Sequence, residues 1–183
     1  MTTLDTSKIE KIKEAIRDIP DFPKEGINFK DSTTLLSNPE VFNLTIDLIC
    51  EQYKGQKVDF VACPESRGFI FGAPVSTKIN AGMTLIRKPG KLPAKTFDYS
   101  YELEYGTDTL QIHEDAFAGV ENPNVIIVDD LLATGGSCTA TAELIKKAGG
   151  NVLGASFVIE LSFIPGRKKL EDAGIKVNSL VTY

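Results

Sequence analysis

Cysteine is scarce in this sequence. Cys50, Cys63 and Cys138 are the only three, at no metal-type spacing and in an odd number that argues against a disulfide framework. A reducing, cytoplasmic setting is therefore expected. Histidine occurs once, at His113 on an expected strand, and is given no role. No apolar run is long enough to cross a bilayer, and the first residues lack the apolar core of a signal peptide. Cations are outnumbered, 20 Lys and Arg against 25 Asp and Glu, and a net charge of −5 argues against nucleic acid as a partner. Neither a repeat nor a low-complexity segment is visible. What remains, 183 residues with 42% hydrophobic content, suffices for one substantial core, so a single domain over 1–183 is expected. An acidic chain that handles anions must gather its cations locally, which directs attention to where Arg and Lys cluster.

The familiar nucleotide signatures are missing too. No Gly-Lys-Ser/Thr closes a Walker A loop, and no Gly-x-Gly-x-x-Gly marks a dinucleotide fold. Val125-Ile126-Ile127-Val128-Asp129-Asp130-Leu131-Leu132-Ala133-Thr134-Gly135-Gly136-Ser137 is present instead. Its continuous apolar start predicts a strand buried on both faces. Two carboxylates are costly in a core, so Asp129 and Asp130 are expected to emerge at the strand's end. Ala133 to Ser137 can wrap an anion closely, and its N–H groups, with those of the next helix's first turn, form an anion nest. Thr134, Ser137 and Thr139 offer hydroxyls. Carboxylates repel phosphate, so Asp129 and Asp130 need another task, and accepting hydrogen bonds from two ribose hydroxyls fits them. The expected ligand is a ribose phosphate. The plainer alternative is an ordinary turn with Ser137 as helix N-cap.

Ile9, Ile12, Ile16 and Ile19 recur at helical spacing and predict an amphipathic helix. Pro20 to Gly26 is irregular. Ser37-Asn38-Pro39 reads as a helix start, with Val41, Leu44, Leu48 and Ile49 on its apolar face. Phe60-Val61-Ala62 predicts a strand, Phe69 to Ile79 a helix and Met83 to Ile86 a strand. Arg87 to Tyr105 lacks clear periodicity and reads as a long functional loop, a lid. Thr109 to His113 alternates like one strand of a hairpin. A helix closed by Gly149-Gly150 follows the motif, then strands at Val152–Ile159 and near Val177–Val181. Strands alternating with helices imply an α/β domain with a mostly parallel sheet flanked by helices.

Further constellations carry charge. Pro64-Glu65-Ser66-Arg67-Gly68-Phe69 follows a strand, and the planar fork of Arg67 suits a diphosphate. Arg87, Lys88 and Lys91 open the lid with a local positive field. Glu102 and Glu104, among Tyr101 and Tyr105, offer a general acid or base on closure, although a solvated loop is the plainer reading. Phe29 is placed to stack on a purine, against the plainer reading of a core phenylalanine.

Together these pieces resemble the adenine phosphoribosyltransferase family over nearly the whole chain. Asp129 to Gly136 is similar to the 5-phosphoribosyl-1-diphosphate (PRPP) motif of type I phosphoribosyltransferases. Glu65 to Phe69 looks like the diphosphate loop, and Arg87 to Pro93 with Leu103 to Gly106 like the two ends of the catalytic loop. Asp21-Phe22-Pro23 with Gly26 and Phe29 looks like the adenine-side segment, and Gly166 to Leu170 like the C-terminal segment. Two stretches depart from the family's pattern: Cys63-Pro64, where glycine and an aliphatic residue are usual, and Asp31-Ser32-Thr33-Thr34, in place of a more apolar run.

The resemblance implies a type I phosphoribosyltransferase fold, a twisted sheet with a small hood over about 1–35 and a flexible catalytic loop over about 87–106. It implies transfer of phosphoribose from PRPP to N9 of adenine, giving AMP and diphosphate. The implied roles are Glu104 as catalytic carboxylate with Tyr105 beside it in the loop, and Ala133, Thr134, Gly135, Gly136 and Ser137 on the 5-phosphate. Asp129 and Asp130 take the ribose, while Glu65, Ser66, Arg67, Arg87, Lys88 and Lys91 take the diphosphate. Ile27, Asn28, Phe29 and Lys30 take adenine. Mg²⁺ comes chiefly with PRPP rather than in a protein-built metal site, and a homodimer is implied, with Arg87 reaching the neighbouring site. Two alternatives stay open: a transferase for hypoxanthine, guanine or xanthine, and a PRPP- or nucleotide-sensing regulator without catalysis.

Overall fold

The computed structural model describes residues 5–103 and 106–183. Glu104 and Tyr105 lie outside the described residues. Asp5 opens helix α1 (Thr6–Glu14) by accepting the Ser7 N–H at 3.0 Å. The expected helical run through Ile19 is overturned, because the helix ends at Glu14 and Ile19 falls in strand β1 (Arg17–Ile19). That segment is drawn out to pair antiparallel with β2 (Phe29–Asp31), and Arg17 locks the pair by donating to Asp31 at 2.5 and 3.1 Å. These two strands form a sheet of their own, in the segment expected as the hood. After short α2 (Thr33–Leu36), α3 (Pro39–Glu51) starts where its sequence predicts. Asn38 Oδ1 accepts the N–H groups of Glu40 and Val41 at 3.1 and 3.2 Å, with Pro39 in the first turn.

The rest alternates. It runs β3 (Phe60–Pro64), α4 (Gly68–Lys78), β4 (Gly82–Ile86), β5 (Thr96–Leu103), β6 (Gly106–His113), β7 (Asn124–Leu132), α5 (Gly136–Lys147), β8 (Asn151–Glu160), α6 (Gly166–Asp172) and β9 (Val177–Thr182). Five of these strands form one parallel sheet in the order β4-β3-β7-β8-β9. Side chains alternate across it, as period-two strands require. Val61, Cys63, Ile126 and Val128 join the core under α1, α3 and α4, while Ala62, Val125 and Ile127 join the core under α5 and the β5–β6 hairpin. Among the described residues no helix is long and apolar enough to cross a membrane.

Two expectations about the sheet are corrected. The segment read as an irregular loop contains β5, paired residue for residue with β6 from Thr96↔His113 to Leu103↔Gly106. Its period was present: Phe97, Tyr99 and Tyr101 are half-buried while Asp98, Ser100 and Glu102 are exposed. Strand β7 also continues past Val128 to Leu132, so Asp129 and Asp130 lie within it, 9% and 5% exposed, rather than beyond its end. The unusual Cys63 proves to be a packing residue. A Cβ on Gly72 of α4 would lie 1.9 Å from its Sγ, so the helix rests directly on the sulfur.

Candidate active site

From β3 the chain steps outward to β4, and it later returns on the other side of β3 as β7. The turns that leave β3 and β7 therefore diverge, and ligands of open α/β sheets bind at such a switch point. A cleft of about 390 Å³ opens there, lined by Glu65, Ser66 and Arg67 after β3, and by Asp129, Asp130, Leu131 and Ser137 from the β7–α5 side. Six of the residues singled out from sequence thus meet in one place, although more than sixty positions separate the two segments. A larger cavity, about 620 Å³ between the ends of α3 and α4, holds the Asp47–Lys78 ion pair and none of the predicted residues.

The carboxylates are buried but not orphaned. Asp129 Oδ1 accepts the Asp130 N–H at 2.9 Å, and Asp130 Oδ2 lies 2.6 Å from Arg67 Nε. Burial pushes the Asp129 carboxyl well above the usual range, and the Asp130 charge adds to the shift. Burial raises Asp130 as well, opposed by the Arg67 guanidinium. These partners account for two aspartates tolerated inside a strand.

Beyond β7 the backbone turns through Gly135, whose φ of +75° is a left-handed conformation that glycine adopts without strain. Gly135 is also the cap of α5, and no side chain caps that helix, so its first-turn N–H groups face the turn without a capping acceptor. Ser137 is therefore not the N-cap. The Thr139 hydroxyl, expected as a donor to the anion, instead donates to the Gly135 carbonyl at 2.9 Å. Tyr101 of β5 packs against this turn: a Cβ on Gly136 would lie 3.1 Å from its ring. Its hydroxyl reaches Asp108 at 3.4 Å, and burial with the Asp108 charge pushes the phenol up to about 12. Residue-level reading gave Tyr101 no site contact, although the Phe97-Tyr99-Tyr101 alternation was there to find it.

The cations at the end of β4 are organised by Glu65. Its carboxylate accepts Arg87 Nε at 3.2 Å and the Lys88 N–H at 2.9 Å, and these bonds hold it below the usual range. Arg87 is further fixed by backbone bonds with Gln111 at 2.9 and 2.7 Å. The Lys88 ammonium lies 3.5 Å from Asp108, and Lys91 is exposed in the following turn. Of the cations that sequence grouped with it, Glu65 pairs with the Arg87 guanidinium and touches Lys88 through the backbone N–H. The Glu65–Ser66 peptide bond is cis.

Ile27 to Lys30 belong to the hood and do not line the cleft. Phe29 is half-buried, edge-on to Phe22 at 5.3 Å, and Ile27 is 41% exposed. The Lys30 ammonium binds Asp18 at 2.5 Å and lies 3.9 Å from the centre of the Tyr183 ring, so the side chain fastens the hood to the domain. Asp31 is held down at about 2 by Arg17 and by Thr33. The stability contributed by this depressed carboxylate is present above its ordinary value of 3.8 and is lost as pH falls through about 2. Asp31→Asn is expected to be less stable than wild type at neutral pH, with the gap closing on acidification through that window. Urea unfolding at each pH measures this, and a gap that persists in acid would remove the ion pair from the account.

Among the described residues no group of three or more His, Cys, Asp or Glu side chains could hold a metal. Glu65 and Asp130 are engaged by arginines, and Asp129 accepts a backbone N–H. Their carboxylate oxygens are hard donors, the type that Mg²⁺ takes.

Residues 31–177 match the family model described as a phosphoribosyl transferase domain. The chain is 51% identical over 175 residues to the adenine phosphoribosyltransferase of Thermoanaerobacter sp. (strain X514), a match covering 96% of this chain and 99% of that one. The crystal structure of adenine phosphoribosyltransferase from Thermoanaerobacter pseudethanolicus ATCC 33223 is similar at a TM-score of 0.89 and 50% identity, covering 96% and 99% of the two chains. The enzyme from Saccharomyces cerevisiae, solved with an imino-altritol bisphosphate and adenine, is similar at 0.89 and 39% identity, covering 97% and 100%. In sequence over nearly its whole length, and in fold, the chain belongs to the adenine phosphoribosyltransferase family.

Proposed function

We propose that this protein transfers the 5-phosphoribosyl group of PRPP to N9 of adenine, giving AMP and diphosphate, and that the cleft between β3 and β7 is where it does so. The observation that carries this reading is the meeting of an uncapped, glycine-bent helix start, a buried carboxylate pair and Arg67 around one cleft. Backbone N–H groups of Ala133 to Ser137, with the Thr134 and Ser137 hydroxyls, anchor the 5-phosphate so that the sugar cannot drift. Asp129 and Asp130 accept from the ribose hydroxyls. Arg67 spends Nε on Asp130 and keeps further N–H donors for the diphosphate. Arg87, Lys88 and Lys91 add positive charge, with Glu65 holding Arg87 in place.

In the reaction the bond from C1 of the ribose to the diphosphate oxygen breaks and the bond to N9 forms. Both electrons of the broken bond leave with the diphosphate, and the N9 proton passes to the Glu104 carboxylate. Charge grows on the departing oxygens, so cations fixed beforehand stabilise the transition state more than the ground state. Magnesium bound with PRPP supplies further positive charge at the diphosphate. The β5–β6 arm, which brings Tyr101 onto the phosphate turn, serves as the lid that excludes water from an electrophilic sugar. Adenine enters from the hood side, where Phe29 offers a ring face and the segment from Ile27 to Lys30 offers backbone groups. The yeast relative solved with adenine supports the choice of base.

Incubation with PRPP and Mg²⁺, offering each purine in turn and following diphosphate release, tests the reading. Turnover with adenine alone is expected. Turnover with guanine or hypoxanthine would favour a 6-oxopurine enzyme, which needs the opposite hydrogen-bond polarity at the 6-position. Binding without turnover would favour a sensor.

A homodimer fits the same geometry. Leu85 on the edge strand β4 and Ile70 on α4 are 38% and 43% exposed, each near in sequence to one partner of the Phe69–Arg87 contact, and offer apolar side chains to a second copy. Leu85→Glu is expected to give a monomer with reduced activity by light scattering and assay. A dimer that survives the charge would move the interface elsewhere.

A further inference from the structure

Two glycines from distant segments touch behind the phosphate turn. A Cβ on Gly166, the first residue of α6, would lie 1.9 Å from the Ala133 carbonyl oxygen and 3.1 Å from Gly135 N. A Cβ on Gly135 would in turn meet the Gly166 carbonyl at 3.1 Å and Leu170 at 3.3 Å. With the turn in place, no side chain fits at 166.

A guanidinium holds the start of α6 in this position, beside the buried Leu170. Arg167 donates from Nε and Nη2 to Glu160 at 2.8 and 2.5 Å, and from Nη1 to Glu171 and to the Val177 carbonyl, both at 3.1 Å. Glu160 is the last residue of β8 and is 4% exposed. The next residue, Leu161, donates its N–H to the Leu132 carbonyl at 3.0 Å, at the end of β7. A closed circuit results: β7, the phosphate turn, Gly166, Arg167, Glu160 and back to β7. Neither Arg167 nor Glu160 lines the cleft.

We propose that Glu160 and Arg167 are positioning residues for PRPP, their ion pair pressing the Gly166 backbone against Ala133 and Gly135 so that the turn's N–H groups converge before the phosphate arrives. The proposal rests on the reading of that turn as the 5-phosphate site. An anion nest differs from a loose loop only in the fixed direction of its donors, and a misplacement near 1 Å costs about a hundredfold in well-aligned chemistry. Packing behind the turn supplies that fixity, because the N–H groups themselves must stay available for the ligand.

The test compares Arg167→Met, Glu160→Gln and the conservative Arg167→Lys with wild type. KM is measured separately for PRPP and adenine, and ribose 5-phosphate binding by calorimetry. KM for PRPP and Kd for ribose 5-phosphate are expected to rise together, on the order of tenfold, with KM for adenine within about twofold. Lysine at 167 recovers part of the loss, and the double variant E160Q/R167M is no worse than the worse single one, as expected of one shared interaction. Should Arg167→Met fail to fold, Glu160→Gln carries the test, since it keeps the shape of the side chain and removes its charge. Unchanged PRPP kinetics in a folded variant, or equal losses for both substrates, would overturn the proposal. Thr134→Ala in the turn separates the two readings. Loss of ribose 5-phosphate affinity there without loss at 160 or 167 sinks the brace alone, whereas no loss at Thr134 either sinks the phosphate turn with it.

Discussion

Glu104→Leu is expected to lower kcat by a factor on the order of 10²–10⁴, the usual span for removing a general acid or base. The KM for PRPP should stay within about twofold, as when an interaction made only in the transition state is lost. The split follows from where the binding energy resides. On the proposed reading PRPP is gripped by the phosphate turn, by Asp129 and Asp130, and by Arg67, all on or beside the central sheet. Glu104 instead follows Leu103, the last residue of β5, in sequence, and β5 and β6 are in register up to Leu103↔Gly106. Tyr101, three residues earlier, lies against Gly136, so the arm reaches the turn proposed to hold the sugar phosphate. On the proposed mechanism the carboxylate is needed only when N9 gives up its proton. Steady-state and single-turnover assays with varied PRPP measure the two constants. Matching losses in kcat and in PRPP affinity would show instead that Glu104 holds the substrate.

Much of this site was legible because its parts are local. The β-branched run of β7, the two aspartates and the glycine turn are consecutive, and the charged turn after β3 contains Arg67 in full. That the two segments face one cleft follows from strand order, which a sequence pattern of helices and strands leaves open. Strand β7 ran further than expected because Asp130 pairs with Arg67, a residue more than sixty positions away, while Asp129 accepts the Asp130 N–H. A cost argument made without that partner ends the strand too soon. The hairpin was hidden for a different reason. Two prolines, a glycine and three lysines precede β5, and they masked the alternation of Phe97, Tyr99 and Tyr101. In the hood, helical spacing at Ile16 and Ile19 lost to pairing with β2, which the Arg17–Asp31 contact reinforces. Side chains that act by holding others, Glu65 on Arg87 and Arg167 on Glu160, carry no local signature at all.

Arg67→Met is expected to reduce kcat/KM for PRPP by a factor on the order of 10²–10³, the range for removing one preorganised charge stabiliser. It should also move the acid limb of the pH–rate profile upward. The two effects share one cause. On the proposed reading Arg67 faces the diphosphate, while its Nε lies 2.6 Å from Asp130, whose carboxyl burial already raises. The guanidinium lowers that carboxyl, so its loss raises Asp130 further, and Asp129 loses the same opposing charge. A raised carboxyl binds its proton at higher pH, and a protonated one is a poorer acceptor for ribose hydroxyls. Activity limited by that carboxylate therefore falls away at a higher pH in the variant than in wild type. Lysine at 67 should return much of the acid limb, because one positive charge suffices for Asp130. It should return little of the rate, because an ammonium cannot offer the planar pair of donors suited to a diphosphate. If the acid limb keeps its position in Arg67→Met while the rate falls, Arg67 serves the leaving group alone. If both are unchanged, the cleft between β3 and β7 is not where PRPP reacts.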